Sequence, residues 1–232
     1  MSEQKVCAIT GAGPANGAAF ARRFTRAGYR VALLARSAKR LESLAAEIPG
    51  SVGFPVDVCN AVATKEAFEK IRAELGPVSV LIHNAGSGNF GAFLDTSLTQ
   101  FEEIWRVNAG GLLVCGQAVA PEMLKAGAGT IIAIGATASL RGGANFAAFA
   151  AAKAAERSLA QSMARSLGPK GIHVANVIVD GVIDTPRTRE LFRDREDDFF
   201  LKPDQIADAV WELSQQDRSA WTFELDLRPY AE

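Results

Sequence analysis

The residues with the most specific chemical meaning lie near the start of the chain, where three glycines follow a short apolar run. Val6–Thr10 has the composition of a strand and leads into Gly11, Gly13 and Gly17, after which a helix is predicted. Glycines in such a turn let the backbone approach a pyrophosphate, which then lies at the N-terminus of the helix. The pattern therefore predicts a dinucleotide-binding turn, and the alternative is a tight strand–helix turn without a ligand.

A basic residue at the end of the second predicted strand indicates which dinucleotide would bind. Sheets that bind NAD usually place an acidic residue about 20 residues after the glycine turn. Here that strand ends in Ala35 and Arg36, and Lys39 and Arg40 follow closely. A guanidinium binds phosphate through two parallel hydrogen bonds, so Arg36 favours NADP(H) over NAD(H). The alternative is a solvated arginine at the start of a helix.

These residues need a parallel sheet to position them, and the sequence predicts one. Short β-branched runs alternate with longer amphipathic stretches, which is the pattern of βαβ units. The strands are almost wholly apolar, as expected when helices cover both faces of a sheet. We therefore predict one domain, residues 1–232, with a Rossmann-like, doubly wound α/β fold of about seven strands. The predicted strands are residues 6–10, 30–34, 51–56, 78–83, 130–135, 172–179 and 222–227, and the predicted helices are residues 15–27, 38–48, 61–75, 99–125, 146–167 and 203–215.

A charged segment, residues 185–202, interrupts this alternation of strands and helices. Two interpretations are open for it: a mobile flap or a solvated insertion.

Composition excludes several classes of protein. The chain has 25 basic and 26 acidic residues, which gives no reason to expect nucleic acid or a membrane surface as a partner. The longest apolar runs are strand-sized and too short to span a bilayer, and the first residues lack a secretory signal. Cys7, Cys59 and Cys115 are odd in number and far apart. We therefore expect reduced thiols, no metal site and a cytoplasmic protein.

Motifs along nearly the whole chain resemble those of the short-chain dehydrogenase/reductase family. Residues 10–17 resemble its T-G-x-x-x-G-x-G turn, with Ala15 at the second glycine and Asn16 after it. Residues 83–86 resemble its N-N-A-G motif, and residues 180–185 resemble its P-G-x-x-x-T stretch, with Asp180 in place of proline. The resemblance implies that a nicotinamide dinucleotide binds at Gly11, Gly13, Asn16, Gly17, Arg36, Asp57, Val58, Asn84, Ala85, Gly86, Lys153, Gly181, Ile183 and Thr185.

The resemblance also shows that the family's catalytic residues are incomplete in this chain. The helix matching the Y-x-x-x-K motif has Lys153 as its lysine and Phe149 at the tyrosine position. Ala136 stands where the family has serine, and the two tyrosines of the chain lie elsewhere. A positioned acid contributes about 10²–10⁴ in rate and an oxyanion donor about 10²–10³. We therefore do not expect ketone reduction by the family mechanism.

Several polar residues remain for chemistry. Lys153 would bond the nicotinamide ribose, and Asn108, which matches the family's helix asparagine, would relay a proton through water or simply kink its helix. Phenyl rings near the site predict an apolar pocket, or they belong to the core. The candidate stand-ins for the lost groups, each of which is also explained as a loop or capping residue, are Ser87, Asn89, Thr137, Ser139, Arg141, Asn145 and Asp180. The pocket rings are Phe90, Phe93, Phe146 and Phe149.

The motifs and the missing groups together leave three functions open. The first, which we favour, is an NAD(P)(H)-dependent oxidoreductase with an atypical, degraded active site. Its small-molecule substrate would need little help from an acid, as an iminium carbon or a polarised enone does, and the phenyl rings suggest an apolar one. The second is an inactive NADP(H)-binding pseudoenzyme that senses or scaffolds. The third is a structural subunit. The resemblance implies a homodimer or homotetramer formed through the helices that contain Trp105 and Phe149.

Overall fold

The computed structural model describes residues 4–88 and 90–231, and a parallel sheet lies at its centre. The strands are β1 (Val6–Thr10), β2 (Arg30–Ala35), β3 (Ser51–Pro55), β4 (Val78–His83), β5 (Gly129–Ala136), β6 (Ile172–Val179), β7 (Val182–Ile183), β8 (Phe200–Leu201) and β9 (Glu224–Leu227). Seven of them form one sheet in the order β3-β2-β1-β4-β5-β6-β9, and β7 pairs with β8 separately. The predicted doubly wound sheet is confirmed.

Helices cover both faces of this sheet. They are α1 (Asn16–Arg26), α2 (Ala38–Glu47), α3 (Ala61–Leu75), α4 (Leu98–Trp105), α5 (Gly111–Ala126), α6 (Ala147–Leu167), α7 (Pro186–Leu191) and α8 (Pro203–Ser214). In β1, Cys7 and Ile9 belong to the core shared with α1 and α8, whereas Val6 and Ala8 belong to the core shared with α3 and α5. Both faces of the strand are buried, which explains why the strand sequences are continuously apolar.

The helix predicted over residues 99–125 is present, but it is not a regular α-helix throughout. A π-helical turn, Arg106–Gly110, separates α4 from α5. Within it, the Asn108 side chain donates a hydrogen bond to the Ile104 carbonyl oxygen at 2.8 Å. A side chain inserted into the helical hydrogen-bond ladder distorts the ladder, and single π turns of this kind are frequent at functional sites.

The charged segment between β6 and α8 has defined structure. It contains β7, α7 and β8, and ion pairs hold it together. The Asp184 carboxylate accepts hydrogen bonds from Arg189 at 2.7 and 2.8 Å and from Lys202 at 2.9 Å. Asp197 also pairs with Lys202, at 2.6 Å, and with Arg189. Some of the segment's charges therefore bind one another, whereas residues 190–198 are exposed, as the interpretation of a solvated insertion expects.

Strand order reverses beside β1, because β2 lies on one side of it and β4 on the other. In open parallel sheets, ligands bind outside the carboxyl ends of the strands at such a reversal. Among the helices of the described residues, none has the length and apolar character needed to cross a bilayer.

Candidate functional site

The turn between β1 and α1 leaves no room for a side chain at two of its glycines. Gly11 has a φ of +67°, and a Cβ there would lie 2.6 Å from backbone atoms of Ala85. At Gly17, a Cβ would lie 2.8 Å from the Cα of Ala12. Gly13 differs, since the nearest atom to its Cβ would be the Gly11 oxygen at 3.9 Å. Packing therefore requires Gly11 and Gly17 but not Gly13.

The N-terminus of α1 has the properties of an anion site. Its N-cap residue, Ala15, provides no side-chain hydrogen bond to the first N–H groups of the helix. Asn16 is buried, and its Oδ1 atom has no hydrogen-bond partner among the described residues. Uncapped N–H groups and the helix dipole attract phosphate, and an unpaired amide oxygen can accept a hydrogen bond from a hydroxyl. These residues fit the pyrophosphate and ribose of a dinucleotide.

Hydrogen bonds between the residues after β4 and the end of β1 hold the glycine turn in place. The Asn84 amide donates a hydrogen bond to the Gly11 carbonyl oxygen at 2.9 Å. The Ala85 N–H donates to the Thr10 hydroxyl oxygen at 3.3 Å. Two of the three residues predicted after β4, Asn84 and Ala85, therefore contact the glycine turn and hold it in place.

His83 connects the same turn to the π-helical segment. Its Nε2 atom lies 3.2 Å from the Asn108 carbonyl oxygen, which can only accept, so Nε2 is the protonated nitrogen. Its Nδ1 atom therefore accepts a hydrogen bond from the Thr10 hydroxyl at 3.0 Å. Burial lowers the pKa of His83 to about 3, so the ring is neutral near pH 7. In the sequence His83 is only one letter of a motif, and nothing there indicates this connecting role.

The adenosine end of the predicted site lies where β2 and β3 end side by side. The Val56 N–H donates to the Ala35 carbonyl oxygen at 2.9 Å, which brings the residues after both strands together. Arg36 is exposed, and its guanidinium has no partner among residues 4–88 and 90–231. The Asp57 carboxylate accepts a backbone N–H of its own turn at 3.0 Å, and the Val58 side chain is buried in the core. An unpaired arginine at this edge can bind a 2′-phosphate.

Lys153 and Asn108 converge on Gly86. A Cβ on Gly86 would lie 3.8 Å from Lys153 Nζ and 3.4 Å from Asn108 Oδ1. Lys153 is buried, and its ammonium donates to the Ile134 carbonyl oxygen at 2.8 Å and to Glu156 Oε2 at 2.6 Å. Burial raises the pKa of Glu156 to about 7, although the neighbouring ammonium lowers it. Glu156 was not predicted as a site residue, because its only signal is a carboxylate three residues after the lysine.

Asn108 serves the helix and the site with different atoms. Its amide nitrogen donates to the carbonyl oxygens of Ser87 and Ile104, at 3.0 and 2.8 Å. Its Oδ1 atom is buried and has no partner among the described residues. Both interpretations offered for this asparagine are therefore compatible with its position.

The aromatic wall beside Lys153 consists of three of the four predicted rings. Phe90 contacts Phe146 and Phe149, with ring centroids 4.8 and 6.0 Å apart. Phe93 is 76% exposed and lies apart from these rings, beside an apolar pocket that Leu98, Phe101 and Ala147 also line. The Phe149 ring presents no polar atom to the site.

A carboxylate with basic partners lies at the ends of β5 and β6. Ala136 ends β5, and the hydroxyl of the next residue, Thr137, donates to the Asp180 carboxylate. Asp180 is buried and also forms ion pairs with Arg228 at 3.1 Å and Arg141 at 3.7 Å. Of the polar stand-ins, Thr137, Arg141 and Asp180 therefore meet at one carboxylate.

The described residues among the remaining polar candidates lie in the segments after β4 and β5. The Ser139 hydroxyl donates back to the Ala136 carbonyl oxygen at 2.7 Å. Asn145 is exposed, the Ser87 carbonyl oxygen accepts from Asn108, and Asn89 lies outside the described residues.

The stretch after β6 combines a strained turn with a helix cap. Gly181 has a φ of +155°, and a Cβ there would lie 2.8 Å from Pro229 Cδ. Ile183 pairs with Leu201 in the short β7–β8 ladder. The Thr185 hydroxyl accepts the Thr188 N–H at 3.1 Å and caps α7, so this hydroxyl has a structural role.

Comparisons with known proteins agree with this geometry. The short chain dehydrogenase family model matches residues 5–196. The chain is 29% identical over 227 residues to meso-2,3-butanediol dehydrogenase of Serratia marcescens, covering 94% of this chain and 90% of that protein. A short-chain dehydrogenase from Rhodopseudomonas palustris superposes with a TM-score of 0.84 at 38% identity, covering 97% of this chain and 99% of that chain. A metagenomic short-chain oxidoreductase solved with NADP superposes with a TM-score of 0.86 at 28% identity, covering both chains completely.

The extent of the family match, the seven-stranded sheet and the glycine turn at the strand reversal lead to one conclusion. The chain belongs to the short-chain dehydrogenase family of oxidoreductases, whose members bind a nicotinamide dinucleotide.

Proposed function

We propose that this chain is an NADP(H)-dependent oxidoreductase whose active site works without a tyrosine acid. The observation that supports this most strongly is a dinucleotide cradle that ends at a buried lysine. Gly11 and Gly17 admit no side chain, α1 begins without a cap, and Lys153 meets Asn108 beside Gly86. The metagenomic relative solved with NADP has the same fold over its full length.

Each part of the cradle has a distinct binding role. The Gly11–Gly17 turn and the start of α1 hold the pyrophosphate, because uncapped N–H groups there meet its charge. Arg36 binds the 2′-phosphate, which is the basis of a preference for NADP(H). Lys153 and Asn108 orient the ribose next to the nicotinamide.

The substrate must need little help from a protein acid. When bound, the nicotinamide exchanges a hydride with a carbon of the substrate. Phe149 and Ala136 supply neither a proton nor a hydrogen bond to a developing oxyanion. Hydride addition to an iminium carbon gives a neutral amine, which needs no proton in the same step. Hydride addition to the β-carbon of a polarised enone gives a delocalised enolate, which solvent water can protonate afterwards. The rings of Phe90, Phe146 and Phe149 favour an apolar substrate.

A second candidate function is a catalytically inactive NADP(H)-binding protein that acts as a sensor or scaffold. Phe149 and Ala136 together favour it, because the hydroxyl groups of both catalytic positions are missing. The two candidates share the binding site and differ only in turnover.

Three further properties belong to the proposal. The chain is one domain over residues 1–232. It forms a homodimer or homotetramer through α4, α5 and α6, where Trp105, Leu113 and Leu124 expose apolar surface. It resides in the cytoplasm, in keeping with three free thiols.

Titration and turnover test the proposal in sequence. NADPH and NADH are titrated into the native chain, followed by assays of NADPH oxidation with a panel of ketones, imines, iminium ions and enones. The proposal expects tighter binding of NADPH and turnover restricted to the iminium ions and enones. Binding without turnover on any compound would favour the inactive candidate, and no binding of either dinucleotide would exclude both.

A further inference from the structure

A second buried ionisable group, Glu156, lies beside the active-site lysine on the same helix. The Lys153 ammonium and Glu156 Oε2 are 2.6 Å apart, and neither side chain is more than 6% exposed. The other carboxylate oxygen, Oε1, is buried without a hydrogen-bond partner among the described residues. Burying a carboxylate oxygen without a hydrogen-bond partner costs folding free energy. The attraction between the carboxylate and the ammonium offsets part of that cost.

The pair limits what Lys153 can do for a ligand. An ammonium has three N–H donors. Two of them are directed to Glu156 and to the Ile134 carbonyl oxygen. One remains for the region beside Gly86 and Asn108, where the proposed site holds the ribose. Two ribose hydroxyls would need the donor that Glu156 now uses.

The ionisable groups around this pair are neutral, paired with other residues or exposed at the surface. His83 is neutral because burial lowers its pKa to about 3, and burial also lowers the pKa of His173. Arg157, next to Glu156 in α6, binds Glu224 on β9 at 2.9 Å. The charged residues of the other segments packed against α6 are exposed at the surface: Glu102, Glu103, Arg106 and Lys170. Asp180 at the end of β6 is held by Thr137, Arg141 and Arg228.

We propose that Glu156 is a positioning residue that competes with the dinucleotide for Lys153. When its carboxylate is ionised, Glu156 holds one N–H of the ammonium; when it takes a proton from solvent, that N–H is released to the ribose. The inference rests on the proposed function, in which Lys153 contacts the nicotinamide ribose. It adds an affinity control inside the site that depends on proton concentration.

The direction of the effect follows from the charges. Burial raises the pKa of Glu156 to about 7, so the exchange falls in the neutral range. Below that range the carboxyl is protonated, Lys153 has two free donors, and the site gains a positive charge facing an anionic ligand. Dinucleotide binding is therefore tighter on the acid side and weaker on the alkaline side.

The test is a titration of the native chain with NADH at about pH 6 and about pH 8, on either side of the range expected for the carboxyl. NADH lacks the 2′-phosphate, which titrates in the same range. One hydrogen bond gained at Lys153 predicts a dissociation constant about three- to tenfold lower at the acid value. Equal affinity at both pH values would overturn the inference, and this measurement needs no variant.

Two variants sharpen the result. Glu156→Gln keeps the shape of the side chain but cannot ionise, so its NADH affinity should match the native acid value at both pH values. Lys153→Met should bind more weakly and show no pH dependence in this range. A pH dependence that persists unchanged in Glu156→Gln would assign the effect to another group and overturn the inference. NADPH serves as the second ligand, and absence of binding of either dinucleotide at any pH would instead refute the proposed function.

Discussion

The two ends of the candidate site are built from different parts of the chain. At the pyrophosphate end, backbone atoms form the site, and a Cβ on Gly11 or Gly17 would lie within 3 Å of neighbouring backbone atoms. At the nicotinamide end, side chains form the site, and in the proposed function Phe149 and Ala136 occupy the positions of the family's catalytic tyrosine and serine. A site made of backbone is retained as long as the fold is retained, whereas a site made of side chains changes with single substitutions.

Lys153, at the nicotinamide end, is buried with an anion next to it. The residue at position 149 is a phenylalanine, whose ring offers the ammonium no polar atom. Glu156 supplies the counter-charge from the next turn of α6. In the proposed function both ends bind the dinucleotide, and only the chemistry at the nicotinamide end differs from that of the family.

The largest expected effect is at the pyrophosphate end of the site, which backbone atoms form. Gly11→Ala forces a side chain into a left-handed conformation and against the Ala85 backbone. We expect a loss of roughly 3–5 kcal/mol in unfolding free energy, measured by urea denaturation. Gly13→Ala is the matched control, since Gly13 has open space around its Cβ, and should change stability little. Similar losses for both substitutions would contradict the assignment of the turn.

Placing hydroxyl groups at positions 149 and 136 tests the nicotinamide end of the site, which side chains form. Phe149→Tyr with Ala136→Ser places a phenol about one helical turn from Lys153 and a hydroxyl at the end of β5. We expect NADPH oxidation with activated ketones to rise by about 10² over the native chain. Phe146→Tyr adds the same oxygen to the neighbouring ring and should give no gain. A folded, NADPH-binding double variant with no gain would show that the substrate pocket itself has diverged.

A smaller effect is expected at the adenosine end, where one side chain decides between two ligands. Arg36→Ala removes the unpaired guanidinium from the edge of β2. NADPH affinity should fall by about tenfold or more, because hydrogen bonds to charged groups are strong, while NADH affinity stays the same. Arg26→Ala, at the far end of α1, is the control and should change neither. Equal losses of affinity for NADPH and NADH would show that Arg36 does not determine the preference between them.

The smallest effect concerns the charged segment after β6. Arg189 and Lys202 hold the pKa of Asp184 well below its ordinary value, and the hydrogen bonds from Arg189 are the largest cause. A lowered pKa means that the stabilisation is present above the unfolded pKa and is lost as pH falls through the folded value.

Asp184→Asn should therefore speed tryptic cleavage at Arg193 and Arg195 by about two- to fivefold near pH 7, as expected for partly exposed ion pairs. The Glu190→Gln substitution removes an exposed ion pair between α7 and Arg193, and it is the control for cleavage at Arg195, which should stay unchanged. Unchanged cleavage of the Asp184 variant would show that the network does not hold the segment.

Sequence patterns predicted the fold almost completely, because strands buried on both faces produce apolar runs that alternate clearly with helices. All seven strands of the main sheet were predicted close to their observed ends. The π turn was missed because its cause is a hydrogen bond made by Asn108, which hydrophobic periodicity does not record. Glu156 was missed because a glutamate in a helix normally indicates a solvated face, and only the packing of α6 shows that it is buried.

The residues predicted to bind NADP(H) also fall into two groups. The positions of the first follow from the predicted sheet, and the role of the second depends on structure that was not predicted. Gly11, Gly17, Asn84 and Ala85 lie together because the sheet brings β1 and β4 side by side. The Thr185 hydroxyl caps α7, a use that depends on a helix which the sequence did not indicate.

The central claim of the proposed function is a dinucleotide cradle beside an active site that lacks a tyrosine acid. It is tested most directly by titrating the native chain with NADPH in the presence of a small ketone. Binding and oxidation are followed together by NADPH fluorescence and absorbance. We expect saturable binding of one NADPH per chain and no oxidation, since the cradle is complete and the acid is missing. Rapid oxidation of NADPH by the ketone would contradict this assignment.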